Sequence, residues 1–399
     1  MSTLKVNTIR HTGGSADNIT LDNSQNVTVE GNLTVDGTLT AAQRSNRNLI
    51  INGAMNIAQR GTSVTDDGCQ TVDRFRLAYG GSDNHLTQAQ HALTSSDTGP
   101  WAKGFRNSYH ITNGNQTSGA GASDYTQILY RVEAQDVANS GWDYTSASSY
   151  LTISFWIKAS VAQTYYCNLE TQDGTGQLYS FSTGALSANT WTKVTKTIPG
   201  HSNITINNDN GTGLVLIINS FLGTTFTTSG HTPNQWAAAG SFADMAPDMT
   251  STWWTTDDAT FEITGVQLEV GSVATDFEHR SYGDELAKCQ RYYWVLVKGI
   301  NKYFAPAWAY TATNILCPIM FAQTMRATPA LVMTKVDGYF TVYMNNTGDT
   351  EGENWNWTYS TNQSGSLQDD SGDYNLLQGG AGAIYTSNAA CVVAFDAEL

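Results

Sequence analysis

Leu151-Thr152-Ile153-Ser154-Phe155-Trp156-Ile157 puts an apolar side chain at every second position, the period of a strand with one buried face. Leu151, Ile153, Phe155 and Ile157 then point to a core, while Thr152, Ser154 and Trp156 point away from it. Phe261-Glu262-Ile263-Thr264-Gly265-Val266-Gln267-Leu268-Glu269-Val270 is a second, longer stretch of the same kind. Between them, Leu214 to Ile218 is a continuous apolar run behind an Asn210-Gly211 turn, which suits a strand covered on both faces. From residue 48 to 282 many short strands alternate with turn residues, with almost no helical periodicity. This pattern predicts an all-β region built as an antiparallel β-sandwich, at this size a jelly roll.

Residues 283–294 carry the one helical pattern, with Leu286, Cys289 and Tyr293 on one face and Asp284 and Glu285 at the positive end. They are expected to form a short connector. Residues 295–399 return to strands and read as a second β-rich domain, a sandwich. There Asp337-Gly338 between Ala330–Val336 and Tyr339–Met344 signals a hairpin. Residues 1–47 are different again. From Asn26 the chain reads NVTVEGNLTVDGTLT, with Val27, Leu33 and Leu39 six apart and Val29 and Val35 in the same step. Strands this short cannot bury their own apolar face, and repeats need neighbours. The expectation is an intertwined β-stalk in which Val27, Val29, Leu33, Val35 and Leu39 pack against other copies of the chain.

The chain has 399 residues, 14% of them charged, with 20 Lys+Arg against 35 Asp+Glu and a net charge of −15. Phosphate binding needs a cationic stripe that releases counterions, so nucleic acid is not an expected partner, nor is an anionic membrane surface. No apolar run is long enough to span a bilayer, and Met1 to Arg10 lacks the apolar segment of a secretory signal. Cys69, Cys167, Cys289, Cys317 and Cys391 are scattered and odd in number, which indicates neither a zinc ribbon nor a disulfide framework.

Motifs for phosphate loops, nucleophile elbows and helical zinc sites are missing from the sequence, and the seven histidines show no metal-ligand spacing. Catalysis is therefore not expected, and no catalytic residue is assigned. Asp257 and Asp258, beside a strand, offer hard oxygen ligands for a structural Ca²⁺, the one cofactor considered. Trp355, Trp357 and Tyr359 alternate with Asn354, Asn356 and Thr358. Aromatic faces flanked by amides suit sugars, whose C–H face stacks on a ring while the amides meet hydroxyls. Trp308 and Tyr310 repeat the spacing, and Trp101, Trp253 and Trp254 are lesser candidates. Core or interface packing is the competing reading of all these rings.

Three segments of the chain resemble tail fibres and related receptor-binding proteins of tailed bacteriophages, especially short-tailed phages of marine cyanobacteria. The first is Leu4-Lys5-Val6-Asn7-Thr8-Ile9 with the NLTVDGTLT stretch, similar to a virion-attachment leader. The second brackets a carbohydrate-binding-module-like sandwich: Asn48 to Met55, Gln59-Arg60-Gly61 and Val72-Asp73-Arg74-Phe75 at its start, Gly265 to Gly271 and Ala274 to Glu278 at its end. The third is Glu285 to Tyr293 followed by Met325-Arg326-Ala327-Thr328-Pro329, similar to the opening of a distal tip domain. The resemblance implies a homotrimeric virion protein made in the host cytoplasm. Leu4, Val6 and Ile9 would anchor it to nozzle or adaptor proteins of the tail. Its distal domains would adsorb to host cell-surface polysaccharide or lipopolysaccharide. The alternatives are a glycan depolymerase or glycosidase tailspike, and a structural tail adaptor without receptor binding.

Overall fold

A computed structural model of the chain describes residues 8–9, 19–21, 27–29, 46–239, 244–344, 347–349, 354–370, 374 and 376–399. They belong to two compact units, Met1–Ser45 and Asn46–Leu399. In the first, Thr8–Ile9 (β1), Ile19–Leu21 (β2) and Val27–Val29 (β3) form an antiparallel sheet with β2 in the middle. Val27 and Val29 thus sit on a strand whose partner is in the same chain, opposite Leu21 and Ile19. Ile9 falls on β1, opposite Ile19. Leu33, Val35 and Leu39 of the expected stalk, and Leu4 and Val6 of the leader, lie outside the described residues.

The second unit opens with a β-sandwich. Its first six strands are Ser63–Val64 (β4), Phe75–Gly80 (β5), Thr87–Ala92 (β6), Asn107–Thr112 (β7), Tyr125–Glu133 (β8) and Tyr150–Ala159 (β9). The other six are Thr164–Thr171 (β10), Gln177–Ala185 (β11), Thr192–Pro199 (β12), Thr212–Leu222 (β13), Trp236–Ala238 (β14) and Thr260–Val270 (β15). One sheet runs β14-β11-β10-β13-β8-β5 and the other β12-β9-β15-β7-β6-β4, so the chain crosses repeatedly between sheets in the jelly-roll manner. Leu151, Ile153, Phe155 and Ile157 point into the shared core, as the alternation predicts, with Phe261, Ile263, Val266 and Leu268 of β15 beside them. Along β15 the register shifts between Thr264 and Gln267. Gly265 (φ 64°) takes the left-handed position of this bulge, and a side chain there would strike the Phe105 ring. The extra residue lets both Ile263 and Val266 face inward.

The two outer faces differ. β13 is buried on both sides: Leu214, Leu216 and Ile218 join the main core, while Val215, Ile217 and Leu222 build a smaller one with Leu178, Met245 and Ala246. Part of the 223–259 connection is therefore folded over this sheet. His231 pins it, hydrogen-bonded through Nε2 to Ser180 of β11 and through Nδ1 to Asp244 at 2.7 Å. The order Ser–His–Asp is that of a hydrolase relay, but Ser180 is 1% exposed in mid-strand. The opposite sheet turns polar side chains outward instead.

A short helix, Ala134–Ala138 (α1), follows β8 and has no sequence signal that distinguishes it from a turn. Tyr282–Gln290 (α2) is the expected connector, N-capped by Ser281, whose Oγ accepts from the Asp284 amide. It ends earlier than the sequence pattern suggests: Tyr293 opens a strand, Tyr293–Lys298 (β16). The remaining strands are Tyr303–Ala309 (β17), Ile315–Met320 (β18), Ala330–Met333 (β19), Phe340–Met344 (β20), Thr347–Asp349 (β21), Trp355–Thr358 (β22), Ser364–Asp369 (β23), Ala381–Thr386 (β24) and Val392–Asp396 (β25). They form a three-stranded sheet, β16-β25-β19, and a seven-stranded sheet, β21-β20-β24-β17-β18-β23-β22, around a second core. The hairpin expected at Asp337-Gly338 is corrected here. Gly338 (φ 73°) makes the turn, but β19 pairs with β25 and β20 with β24 and β21. The turn passes the chain from one sheet to the other.

Arg74 and the last residues of the chain tie the two cores together. The Arg74 guanidinium, almost fully buried, lies 3.4 Å above the Tyr292 ring, forms an ion pair with Glu398 and donates to the Arg131 carbonyl at 2.7 Å. Beside it, Arg291 reaches Glu133 at 2.8 Å, and Tyr292 Oη donates to the same carboxylate. Removing one member of a buried ion pair strands the other without compensation, at a cost of about 3–5 kcal/mol. Arg74→Met should lose that much stability in urea unfolding, whereas Lys335→Met, away from the seam, should shift it by less than about 0.5 kcal/mol.

Candidate functional site

The outer face of the sheet opposite the covered one gathers the charged and aromatic groups of the sandwich. Strand register decides which meet. His110 of β7 lies opposite Glu262 of β15, and Glu262 opposite Lys158 of β9. One step along, Thr264 lies opposite Trp156, and Trp156 opposite Lys193 of β12. On the other flank His91 of β6 lies opposite Ser108. On β7, β9, β12 and β15 these residues alternate with core residues, so one period-two pattern both fills the core and assembles this face.

Glu262 is the centre of the group and only 2% exposed. Ser108 Oγ donates to its Oε2 at 2.7 Å, and Lys158 Nζ sits 2.8 Å from Oε1. His91 Nδ1 lies 3.2 Å from Oε2 and His110 Nδ1 3.4 Å from Oε1. Burial pushes the Glu262 pKa up, but the close approach of His110, Lys158 and Ser108 outweighs it and holds the carboxyl far below the usual carboxylate range. Lys158 also reaches Asp97 Oδ1 at 3.2 Å, where Trp191 Nε1 donates at 3.0 Å. Burial would lower the Lys158 pKa; its two carboxylate partners raise it instead.

Next to this group is a cavity of about 300 Å³ lined by Trp156, Phe105, Phe277, His279, Lys103 and Lys193, with Ser154 and Asp276. Phe105, Phe277 and His279 pack edge to face and tilted, centroids 4.8–5.2 Å apart, and His279 Nε2 meets the Lys103 carbonyl at 2.8 Å. Gly99 (φ 100°) lies against the Trp156 ring, where any side chain would collide. Nearby, the Arg106 guanidinium stacks 3.8 Å above Trp101. Rings beside lysines, a hydroxyl and a carboxylate offer both an apolar platform and directed hydrogen bonds.

Most residues selected from sequence lie elsewhere. Trp355 and Trp357 do share a face, but it is the inner one: Trp355 is fully buried and Trp357 packs 4.7 Å from the Phe395 ring centroid. The expectation that these two rings meet a ligand is corrected: alternation told which residues share a face, and the neighbouring sheet decided that this face is the core. Tyr359 falls beyond the end of β22 at φ 49° and is 80% exposed, away from their plane. Trp308 and Tyr310 do face outward, 39% and 60% exposed, on the outer side of the seven-stranded sheet. Trp253 and Trp254 are fully buried. Asp257 and Asp258 are exposed in a turn, Asp258 at φ 54°. Among the described residues they join no group of converging metal ligands, so the calcium expectation has no support in the geometry. Sequence reading placed Trp156 outward on its strand but did not single it out; a tryptophan on the polar side of a cleanly alternating strand was the available signal.

No family model matches the chain, and no curated protein does. Among solved structures, the enzymatically active domain of tailspike protein 4 of bacteriophage CBA120 is 10% identical, covers 56% of this chain and 22% of that one, and has a TM-score of 0.28. A putative sugar-binding protein from Bacteroides thetaiotaomicron is 10% identical over 56% of this chain and 100% of that one, with a TM-score of 0.30. The N-terminal cellulose-binding domain of Cellulomonas fimi β-1,4-glucanase C is 12% identical over 55% and 99%, with a TM-score of 0.26.

The depressed pKa of Glu262 sets a pH dependence. A carboxylate with a lowered folded pKa stabilises above its unfolded value near 4.3 and loses that contribution as pH falls below it. Glu262→Gln removes the term. The wild-type advantage over this variant in urea unfolding should be full at pH 6 and shrink steadily from about pH 4.3 downward.

Proposed function

We propose that this chain is a glycan-binding adhesin, acting as the trimeric tail fibre of a tailed bacteriophage. It would be attached to tail nozzle or adaptor proteins through residues 1–47, and would present its β-domains to polysaccharide or lipopolysaccharide on the host. The observation that carries the binding half is the cavity of about 300 Å³ on the outer face of the sandwich, with Trp156, Lys103 and Lys193 at its rim. It has room for one sugar ring, whose C–H face stacks on an indole while the lysines and Ser154 meet its oxygens. The fibre half rests on the resemblance of the leader, sandwich and connector segments, and on a repeat in residues 26–40 too short to cover itself.

With 20 Lys+Arg against 35 Asp+Glu, the protein has no general electrostatic attraction to an acidic cell surface. Adsorption then depends on stacking and directed hydrogen bonds, and three chains on one stalk raise weak single-site affinity through effective concentration. Binding without cleavage is the reading we favour.

Screening the full chain against host surface glycans should find a ligand that Trp156→Ala weakens by at least tenfold, with wild-type thermal stability retained. Light scattering should give three times the 43.2 kDa chain mass. A bound polysaccharide should keep its chain length, with no new reducing ends. Ligand binding unchanged in Trp156→Ala would move the site elsewhere, with Trp308 and Tyr310 the next positions to test. A monomeric mass would remove the fibre, and released reducing ends would make the protein a depolymerase.

A further inference from the structure

His91, His110 and Glu262 each offer one ligand atom, and these three atoms lie within 4.8 Å of one another. We propose that they form a transition-metal site, taking Zn²⁺ through the two Nδ1 atoms and one carboxylate oxygen, with the fourth position open to solvent or ligand. The proposal is independent of glycan recognition, though both concern the same face of the sandwich.

Three observations carry it. The first is spacing. His91 Nδ1 lies 3.2 Å from Oε2 and His110 Nδ1 3.4 Å from Oε1 of the same carboxylate. With one atom from each residue inside 4.8 Å, small side-chain rotations bring both nitrogens and one oxygen to the zinc range of about 2.0–2.1 Å for imidazole and carboxylate. The second is His110 Nδ1, a buried atom with no hydrogen-bond partner although a carboxylate is in front of it. Its Nε2 lies 3.1 Å from Thr112 Oγ1. In the tautomer that donates to Thr112, Nδ1 turns a lone pair toward Glu262, an arrangement that a cation between them converts from repulsion to coordination. The third is the origin of the ligands. They come from three adjacent strands, β6, β7 and β15, whose register the sandwich core holds, so the ligands need no loop ordering to converge.

Lys158 Nζ, 2.8 Å from Glu262 Oε1, is the competing cation. Because Lys158 has Asp97 as a second partner, it can keep Oε1 while the metal takes Oε2, or turn to Asp97 altogether. The Ser108 hydroxyl, now on Oε2, then becomes the outer hydrogen-bond partner that orients the ligand.

The test uses untagged full-length protein treated with chelator and titrated with Zn²⁺ and, separately, Co²⁺. One Zn²⁺ per chain should bind by calorimetry. Co²⁺ should give visible d–d absorption of tetrahedral intensity, which Zn²⁺ abolishes. His91→Asn is the first variant, since His91 is half exposed and its loss leaves the core intact; His110→Asn is the second. Each should weaken Zn²⁺ binding by tenfold or more, on the scale that even outer partners of metal ligands produce, while metal-free melting of His91→Asn stays at the wild-type temperature. No saturable binding up to millimolar Zn²⁺ overturns the proposal. So does Zn²⁺ binding or a cobalt spectrum that neither variant alters, which would place the metal on other histidines.

Discussion

A strand has two faces, and a shared core covers only one of them. In this sandwich the other face is treated differently in each sheet, and that difference locates the Glu262 group and the cavity beside Trp156. Around β13 the outer face is apolar, with Val215, Ile217 and Leu222 covered by Met245 and Ala246 of the 223–259 connection. Left open, such a surface would be a docking or aggregation site. The sheet containing β9 and β15 has polar residues and tryptophan at the corresponding positions, so it needs no cover. Glu262, Lys158 and Trp156 lie there because Phe261, Ile157 and Phe155 lie inside. Core packing holds the backbone, and the backbone holds the site.

The same logic explains the seam between the sandwich and the C-terminal sheets. Charged groups are rarely buried unless paired, and the junction concentrates them: Arg74 over Tyr292 and against Glu398, Arg60 over Tyr293 at 3.5 Å and near Asp396 at 3.0 Å, Arg291 on Glu133. Guanidinium planes suit this use because they stack on rings while their edges form ion pairs. Removal of one partner would be costly, which makes the joint specific: Asn46–Leu399 forms one compact unit although the sandwich and the C-terminal sheets have separate hydrophobic cores.

Strands were legible where one local pattern decided them. Leu151 to Ile157 and Phe261 to Val270 both form strands, and Leu151, Ile153, Phe155 and Ile157 lie inside as the alternation predicts. The apolar run from Leu214 read as doubly covered, and it is. Legibility ended where a distant element decides the outcome. Asp337-Gly338 is a turn in sequence and in structure, but whether the flanking strands pair with each other depends on β24 and β25, about fifty residues on. Trp355 and Trp357 were placed on a common face correctly, yet which face is covered depends on Phe321 and Phe395. The histidines failed as a sequence signal for the same reason. His91 and His110 are 19 apart and Glu262 lies 152 further on, and only strand register brings them together.

A buried carboxylate on the open face of a sheet needs a reason, because its desolvation is unfavourable unless every lone pair is met. Glu262 has one strong cationic partner, Lys158, and one hydroxyl, Ser108, while two imidazoles approach it without both being well aimed. If stability alone had shaped the group, an apolar or neutral residue opposite Lys158 and His110 would avoid the cost. Lys158 is itself shared between Glu262 and Asp97, and Asp97 is fixed by Trp191. The chain of contacts from His91 to Trp191 therefore runs across the whole open face. Strand pairing of β6, β7, β15, β9 and β12 fixes the order of this row, so the polar contacts across the face follow from the same register that packs the core beneath it.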